Sequence, residues 1–405
     1  MGNENRVVIT GLGAVSPFGL GRALLAKNML EHKSSVKFNP TLAAIKDLTS
    51  HVSSTVEEID FSFIPRRFRR SMSKMSLYAY AAVKEALESA NIEKPDEKTA
   101  LFLGSTISSM QTWVDFSQKY ISGEFDTVKT SVVFQVMNNS PLANISQSFD
   151  LKGPGFGSST ACATSLTNIG LAYLGIKSGF ISQAIAGGTD EYHPIMTVCF
   201  AIMNAAASRY NSQAELASRP FDINRDGIVC GEGCGIIILE SLQSALKRNA
   251  KIYGEIIGFG TNTETASISH PSKECIANCM KLALENAKLT PSDIDFVNAH
   301  ATSTIAGDIE EAQAVGELFG GQVLVNSLKG HIGHTMAASG SLELIACLDM
   351  LEREEFAPTL NLCEVDPKCS CINLFKENKK VKVNTFIKNS FALGGTNCCL
   401  IVRRY

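Results

Sequence analysis

Short aliphatic, β-branched runs alternate with helical patterns along this sequence, and four of the runs end in a turn of small residues that carries reactive side chains. The four turns are residues 158–165, 298–304, 326–334 and 389–397. In α/β proteins, functional side chains collect where strands end at their carboxyl termini. The alternation therefore predicts an α/β fold with buried sheets, and the turns predict one site assembled from several strands.

The spacing of the apolar residues along the chain predicts where the individual strands and helices lie. Strands are predicted at residues 6–10, 99–104, 183–187, 235–239, 254–260, 294–298, 323–325, 382–387 and 398–402. Helices are predicted at residues 75–90, 165–178, 273–287, 307–319 and 340–353. A length of 405 residues, of which 45% are hydrophobic, suggests two or three domains or one large body built from two similar halves. No long linker is visible, so one compact body is favoured.

Composition excludes several classes of function. A net charge of −3 argues against an extensive nucleic-acid surface, and no apolar stretch approaches the roughly 20 residues of a transmembrane helix. No secretion signal is visible before the apolar run at Val7, which predicts a cytoplasmic protein away from membranes. The twelve cysteines are therefore expected to be mostly buried, reduced thiols. The spacing of Cys363, Cys369 and Cys371 fits no standard zinc site, and no metal is predicted.

Cys162 is the candidate nucleophile. It lies between small residues, just before the helical pattern that starts at Ser165. The positive end of a helix dipole and its unpaired N–H groups favour a thiolate over a thiol, and small neighbours let a substrate approach. The alternative is a buried structural cysteine, as most of the twelve must be.

His300 and His334 each follow an apolar strand, and Lys329 lies in the same turn as His334. A single histidine in such a place is more often a hydrogen-bonded core residue, but two of them with a lysine at parallel positions favour a catalytic site. A metal site at His331 and His334 is weakly supported, because the sequence places no third ligand. The charged, glycine-rich run of residues 219–233 is interpreted as a structural loop with internal ion pairs.

Together these motifs resemble the β-ketoacyl-acyl-carrier-protein synthases, in the elongating type II branch of the thiolase superfamily. The resemblance spans nearly the whole chain, and the motifs occur in the family's order and spacing. Lys329 also lies five residues before His334. The matching segments are residues 8–17, 160–165, 219–222, 231–233, 298–304 and 394–397.

The resemblance implies a thiolase-like αβαβα layered fold made of two duplicated halves. Residues 1–245 would carry the cysteine, and residues 246–405 the histidine and lysine turns. It also implies an acyltransferase that condenses a cysteine-bound acyl group with malonyl-acyl-carrier protein, in fatty-acid or polyketide and polyene chain elongation. Substrates would arrive on the phosphopantetheine of the acyl-carrier protein, and no other cofactor is expected.

The family's roles transfer residue by residue. Cys162 would take the acyl group, His300 and His334 would promote decarboxylation and stabilise the enolate, and Lys329 with Glu343 would form a supporting pair. The N–H groups of Cys162 and Leu393 would form an oxyanion hole. The remaining expectations concern substrate contacts: Thr302 and Thr304 at the pantetheine arm, Ile107 in the acyl pocket, and Phe391 with Leu393 at the gate.

The gate departs from the family pattern. Where the family commonly has Asn-Ser-Phe-Gly-Phe-Gly-Gly-Thr-Asn, this chain has Ala392 in place of the first glycine and Leu393 in place of the second phenylalanine. Leucine is smaller than phenylalanine, and the glycine's flexibility is lost. Gating and chain selectivity are therefore expected to differ from those of the family.

A basic segment suggests the carrier's docking site. Residues 64–74 contain five positive charges on a slightly acidic chain, and the family docks acidic carrier proteins on basic residues in this region. The alternative is a solvated helix start, whereas a nucleic-acid role lacks the interleaved aromatic residues it would need. The five residues are Arg66, Arg67, Arg69, Arg70 and Lys74.

Two other functions fit the same fold. One is a chain-length-factor-like partner subunit, which typically lacks the nucleophilic cysteine, and the other is a thiolase or initiating synthase. Retention of Cys162, His300, Lys329 and His334 favours the elongating enzyme, either as a homodimer or as the active half of a heterodimer. The sequence leaves open the length and saturation of the acyl chain and the pathway.

Overall fold

The structure is a computed structural model that describes residues 5–405. Ten strands form the sheets of its two halves, five in each half. The strands of the first half are β1 (Val7–Ser16), β2 (Ala100–Gly104), β3 (Gly155–Phe156), β4 (Gln183–Asp190) and β5 (Gly233–Ser241). Those of the second half are β6 (Gly254–Thr263), β7 (Phe296–Asn298), β8 (Leu324–Asn326), β9 (Thr385–Phe391) and β10 (Thr396–Arg403).

The two halves have the same sheet topology. Their strand orders are β3-β2-β4-β5-β1 and β8-β7-β9-β10-β6, so the five strands of each half follow the same order, and the short strand Asn373–Leu374 pairs with β8 in the second half. The first two pairings in each order are parallel and the last two antiparallel. The halves join where residues 7–9 of β1 pair with residues 254–256 of β6. This repetition confirms the predicted duplicated fold.

Six helices complete the layers. They are α1 (Lys74–Ser89), α2 (Ser140–Phe149), α3 (Thr164–Lys177), α4 (Lys273–Ala287), α5 (Ile305–Phe319) and α6 (Ser339–Arg353). Helices α3 and α6 lie between the sheets, because α3 contacts β4 and β10 while α6 contacts β5 and β9. Helix α1 packs on the outside of the first sheet and α4 on the outside of the second. The order of layers is therefore αβαβα.

The central helix α6 is buried from Ser339 to Leu351. A helix that packs against neighbours all round needs small residues where its backbone comes close to them. Gly340 is such a position, because a Cβ atom there would lie 2.7 Å from Leu166 of α3. This packing brings the amino termini of α3 and α6 together at the candidate site.

Smaller elements surround these layers. The further helices are Arg22–Leu30, Pro40–Ala43, Arg66–Arg69, Met110–Ser122, Ser131–Val136, Pro194–Ile202, Leu242–Lys247 and Lys329–Ile332. The further strands are Gly19–Leu20, Lys37–Phe38, Val52–Ser53, Glu355–Phe356, Asn373–Leu374 and Lys379–Lys380.

Each predicted strand and helix is present, with bounds shifted by a few residues, and the largest change is in β1. It extends to Ser16 through two glycines that resemble a turn in the sequence. They let the strand lie against α1, since a Cβ atom at Gly13 would be 2.0 Å from the Ala82 carbonyl oxygen. Helix Met110–Ser122 was not predicted; it has no buried residue and so lies outside the core pattern.

The cysteines are all free. Eight are buried, as predicted, but Cys199, Cys363 and Cys371 are exposed and Cys275 is half-buried. The expectation that Cys199 is buried is wrong, because the helix that carries it, Pro194–Ile202, buries only Met196 and Thr197. Within residues 5–405, no helix combines the length and the apolar character that crossing a bilayer requires.

Candidate active site

Cys162 lies in the single turn Ala161–Ala163, which leads directly into α3. It is buried, and the backbone N–H groups of Leu393 and of Cys162 itself donate toward its sulfur. Burial raises the pKa of the thiol to about 11, even though the Lys329 charge and the two N–H groups act to lower it. The expectation that the helix terminus favours a thiolate is therefore wrong, because desolvation is the larger effect.

Two histidines face this thiol. The Cys162 sulfur and one ring nitrogen from each of His300 and His334 lie within 4.8 Å of one another. The imidazole rings are nearly perpendicular, with centroids 5.2 Å apart. His300 follows β7, and His334 follows the short helix Lys329–Ile332. The structure therefore brings together three side chains that the sequence places in separate turns.

Both histidines are neutral at physiological pH. Burial lowers the pKa of His300 well below its usual range and that of His334 to about 3, and the nearby lysine charges lower both further. Within residues 5–405, Nδ1 of His300 and both ring nitrogens of His334 have no hydrogen-bond partner. Neutral imidazoles with free nitrogens can donate a hydrogen bond to a substrate or accept a proton from the thiol.

Glu311 fixes the turn that carries His300, and the sequence analysis missed it. Its carboxylate accepts hydrogen bonds from the N–H groups of His300 at 2.8 Å and Ala301 at 2.7 Å. The Asn389 amide donates to the same carboxylate at 3.1 Å. A carboxylate on the buried face of α5 could have been found as a polar residue at an apolar position of the helical pattern.

Lys329 and Glu343 form the predicted pair, with their charged atoms 2.6 Å apart and both side chains buried. A second buried lysine, Lys388, lies 2.6 Å from the other carboxylate oxygen of Glu343. Burial acts to raise the pKa of Glu343, but the two ammonium groups outweigh it and hold that pKa at about 2. Lys388 was missed because it follows the apolar run 382–387 without belonging to a turn motif.

A cavity of about 480 Å³ opens in front of Cys162. Its wall includes Thr302 and Thr304, predicted at the pantetheine arm, and Phe391 and Leu393, predicted at the gate, and these roles stay predictions. The Phe391 ring meets His300 edge-on, with centroids 6.1 Å apart. The cavity is large enough to hold an extended small-molecule arm that ends at the sulfur.

Residues 264–271 form part of the wall next to the predicted gate. The Gly394 N–H donates to the Ile268 carbonyl at 2.8 Å, and the Glu264 N–H donates to the Gly395 carbonyl at 2.8 Å. The gate residues and this loop are therefore joined through their backbones.

Ile107 does not reach this cavity. Its side chain is 39% exposed, and the cavity wall does not include it. The neighbouring Thr106 carbonyl accepts a hydrogen bond from Ser159 at 3.0 Å, so Ile107 lies beside the turn that precedes the nucleophile. Its expected place in the acyl pocket stays a prediction.

The basic segment forms the short helix Arg66–Arg69, and its four arginines are exposed. Arg66 and Arg70 also line a cavity of about 1040 Å³ together with Lys119 and Lys129. Lys74 differs from the arginines, because its ammonium group lies 2.8 Å from the buried carboxylate of Glu232. That carboxylate needs a counter-charge, so Lys74 has a structural pairing, and a docking role for its 47% exposed side chain stays a prediction.

The charged run 219–233 is a structural loop, as predicted. Arg219 pairs with Asp222 at 2.9 Å, and buried Arg225 pairs with Asp366 at 2.9 Å and Asp308 at 3.4 Å.

His331 also has a structural role. Its ring nitrogens lie 3.0 and 3.1 Å from two carbonyl oxygens. Among the described residues, the one cluster with metal-binding geometry consists of Cys162, His300 and His334.

Comparisons with known proteins agree on one family. Residues 4–245 match the model of the β-ketoacyl synthase N-terminal domain, and residues 253–363 match that of the C-terminal domain. The chain is 34% identical over 408 residues to 3-oxoacyl-[acyl-carrier-protein] synthase 1 of Escherichia coli, covering 98% of this chain and 99% of the relative.

Two solved structures have the same fold over 99% of this chain and all of theirs. A β-ketoacyl synthase from Burkholderia phymatum superposes with a TM-score of 0.95 at 35% identity. The ishigamide ketosynthase/chain length factor superposes with a TM-score of 0.91 at 27% identity.

Proposed function

Because this chain belongs to the β-ketoacyl synthase family and is an acyltransferase that extends acyl chains by Claisen condensation, we propose that Cys162 holds the acyl group during the reaction. The observation that carries this proposal is the meeting of the Cys162 sulfur with two neutral, unpartnered imidazoles within 4.8 Å. Relatives named 3-oxoacyl-[acyl-carrier-protein] synthase support fatty-acid chain elongation as the pathway. Polyketide or polyene elongation is the alternative.

The first half-reaction transfers the acyl group to the enzyme. Cys162 attacks the thioester carbonyl of an acyl group carried on phosphopantetheine. An imidazole takes the thiol proton and passes it to the carrier sulfur, so that the carrier leaves as a thiol when its C–S bond breaks and the new thioester forms. The N–H groups of Cys162 and Leu393, which donate toward the sulfur, would stabilise the oxyanion.

The second half-reaction forms the carbon–carbon bond. Malonyl-carrier protein loses CO₂, and the charge develops on its thioester oxygen as an enolate. His300 and His334 donate hydrogen bonds to that oxygen, which lowers the barrier. The enolate carbon then attacks the Cys162 thioester, the C–S bond breaks, and the β-ketoacyl product leaves on the carrier.

We assign the same three side chains to acyl transfer rather than to a resident metal. Lys329 and Lys388 place two positive charges beside the cluster against one carboxylate, Glu343. A further cation would be repelled there. No cofactor beyond the carrier's phosphopantetheine is proposed, and Thr302 and Thr304 of the cavity wall would contact that arm.

The proposal is tested by incubating the enzyme with acyl-carrier protein and measuring the intact mass. The expected result is one acyl group per chain, which peptide mapping places on Cys162. A chain that forms no acyl adduct but associates with an active ketosynthase would instead support the partner-subunit alternative.

We propose that the chain works as a dimer, most simply with a second copy of itself. The short edge strand β3 leaves Phe156 45% exposed, and Phe134 and Met137 nearby in the chain are also exposed. An unpaired strand edge with apolar side chains fits a second subunit of the same fold. The neighbour named as a ketosynthase/chain length factor supports a heterodimer as the other candidate, and sedimentation of the chain alone distinguishes the two.

A cytoplasmic location and a division of the chain between residues 245 and 246 stay predictions.

Leu393→Phe is expected to narrow the range of acyl chains that the enzyme accepts while leaving Cys162 reactive. Leu393 lies on the cavity wall, and its N–H donates to the sulfur. A larger side chain would restrict the pocket without removing that N–H. The measurement is kcat/KM for carrier-bound acyl groups of graded length, where we expect changes of roughly 10-fold between chain lengths. An unchanged profile would remove Leu393 from the selectivity argument.

A charge reversal at Arg66 and Arg70 is expected to raise the KM for acyl-carrier protein about 10-fold at low salt, because exposed charges steer association with an acidic partner. Reaction with small acyl thioesters that lack the carrier should be unaffected. Lys152→Glu is a control, since Lys152 is an exposed residue paired with Glu97 away from this segment. Equal losses with both kinds of substrate would count against docking at the arginines.

A further inference from the structure

Lys388 is a buried cation that lies behind the site rather than in it. It is on β9, where its backbone pairs in register with Asn298 of β7. Its side chain is fully buried and reaches Glu343 of α6, between the two sheets. Its ammonium group also donates to the Asn389 carbonyl at 2.7 Å. Lys388 is not part of the cavity wall, so it acts on substrate only through other residues.

Glu343 divides its carboxylate between two lysines. One oxygen accepts from Lys329 at 2.6 Å and from the Ser339 hydroxyl at 2.7 Å, whereas the other accepts from Lys388 at 2.6 Å. Lys329 and Glu343 alone would form a neutral pair. With Lys388 included, the three ionised groups carry a net charge of +1.

Among the other titratable groups near Lys388, Glu311 is an acidic one whose charge interacts with those of Lys388 and Lys329. The Glu311 carboxylate is occupied by two backbone N–H groups and the Asn389 amide, and burial raises its pKa. Burial also raises the pKa of the Cys347 thiol, which therefore stays uncharged. His300 and His334 are neutral.

We propose that Lys388 is a positioning residue that competes for Glu343 and so keeps the charge of Lys329 available to Cys162 and the two histidines. The proposal rests on the proposed function, because it gives the positive charge of Lys329 an effect on the three side chains that are proposed to react with the substrate. Without Lys388, Glu343 would neutralise Lys329 and could bind it with both oxygens. Interactions between charges are strong in a site that excludes water, so the gain or loss of one charge there matters.

The pKa directions of the thiol and the two histidines agree with this role, whereas the pKa of Lys329 itself is lowered by burial, with Glu343 acting to raise it and Lys388 to lower it. The Lys329 charge lowers the pKa of the Cys162 thiol against the larger effect of burial. Burial lowers the pKa of His300 and His334, and Lys329 and Lys388 lower both further. A positive field therefore favours a thiolate and keeps the imidazoles uncharged.

The test is the rate at which iodoacetamide alkylates Cys162 between pH 6 and 10, followed by mass spectrometry of the Cys162 peptide. Lys388→Met is expected to slow alkylation roughly 3- to 10-fold at pH 8, because loss of one nearby charge raises the thiol pKa by on the order of 0.5 to 1 unit. Lys251→Met is the control. It removes an exposed lysine that pairs with Glu352, and alkylation should not change.

The double variant Lys388→Met with Glu343→Gln distinguishes an effect of the Lys388 charge on Cys162 from a purely structural effect of its side chain. It leaves Lys329 as the one charge of the three, which again gives +1. Alkylation should therefore return to within about 2-fold of the unaltered protein, since a recovered field restores the thiol pKa. If the double variant is slower than Lys388→Met alone, Lys388 is a structural support and the inference is overturned.

Lys388→Gln covers the case in which methionine prevents folding. Glutamine can still donate a hydrogen bond to Glu343 but carries no charge. Slow alkylation in this variant supports the inference, and alkylation at the unaltered rate overturns it. Because alkylation needs no carrier substrate, its outcome is independent of the acyl-adduct measurement that tests the proposed function.

Discussion

Cys162→Ala is expected to abolish condensation, with a loss of at least roughly 1000-fold, because no other group can hold the acyl chain between the two half-reactions. The fold should persist, since the side chain is small and sits among alanine and threonine neighbours. Product formation from acyl- and malonyl-carrier proteins measures the loss, and near-ultraviolet circular dichroism measures the packing.

Cys369→Ala is the matched control for this substitution. Cys369 is also fully buried, but it lies in the turn Pro367–Cys369, away from the cavity wall. It should retain activity. Full turnover by Cys162→Ala with native packing would refute the nucleophile assignment.

Removal of either imidazole is expected to slow decarboxylation of malonyl-carrier protein by roughly 100- to 1000-fold, the cost of one donor at an oxyanion site. Acyl loading onto Cys162 should fall less in His300→Ala and His334→Ala, because loading depends mainly on the thiol and its N–H donors. Release of CO₂ and the mass of the acyl adduct measure the two steps separately.

His331→Ala is the control for these variants. His331 is buried close by in the chain, but its ring nitrogens are occupied by carbonyl oxygens and it is not on the cavity wall. Its replacement should lower stability without a selective loss of decarboxylation. If both His300→Ala and His334→Ala decarboxylate normally, the two-donor mechanism does not operate in this protein.

The pH dependence of decarboxylation follows from the direction of the histidine pKa shifts. A histidine whose pKa is lowered stays neutral as the pH falls, until the pH approaches that lower value. With the pKa of His334 at about 3, protonation of this ring should not limit decarboxylation between pH 5 and 7. An activity loss in that range would have to come from another group, such as Asp190, whose pKa burial raises to about 7.

The elements of this fold could be predicted from the sequence because their signals are local. Apolar runs such as residues 254–260 and the helical pattern of residues 273–287 have the period of a strand and a helix, and the structure has them at Gly254–Thr263 and Lys273–Ala287. The reactive residues could be selected because small-residue turns follow those strands. That selection found Cys162, His300, Lys329 and His334, which the structure brings into or beside one site.

Ionisation and pairing could not be predicted in the same way, because they depend on residues far apart in the chain. The sequence by itself determined the α/β class and which turns carry the chemistry, and its resemblance to a known family implied the layered, duplicated fold. Only the tertiary structure decided that Lys388 shares Glu343 with Lys329 across 45 residues, and that Lys74 pairs with Glu232 across 158. Burial is likewise a property of the packed layers, and it raises the pKa of Cys162 against the helix-terminal effect that the sequence suggests. Periodicity records which face of an element is apolar, whereas the field at a buried atom is the sum of every charge that the fold places around it.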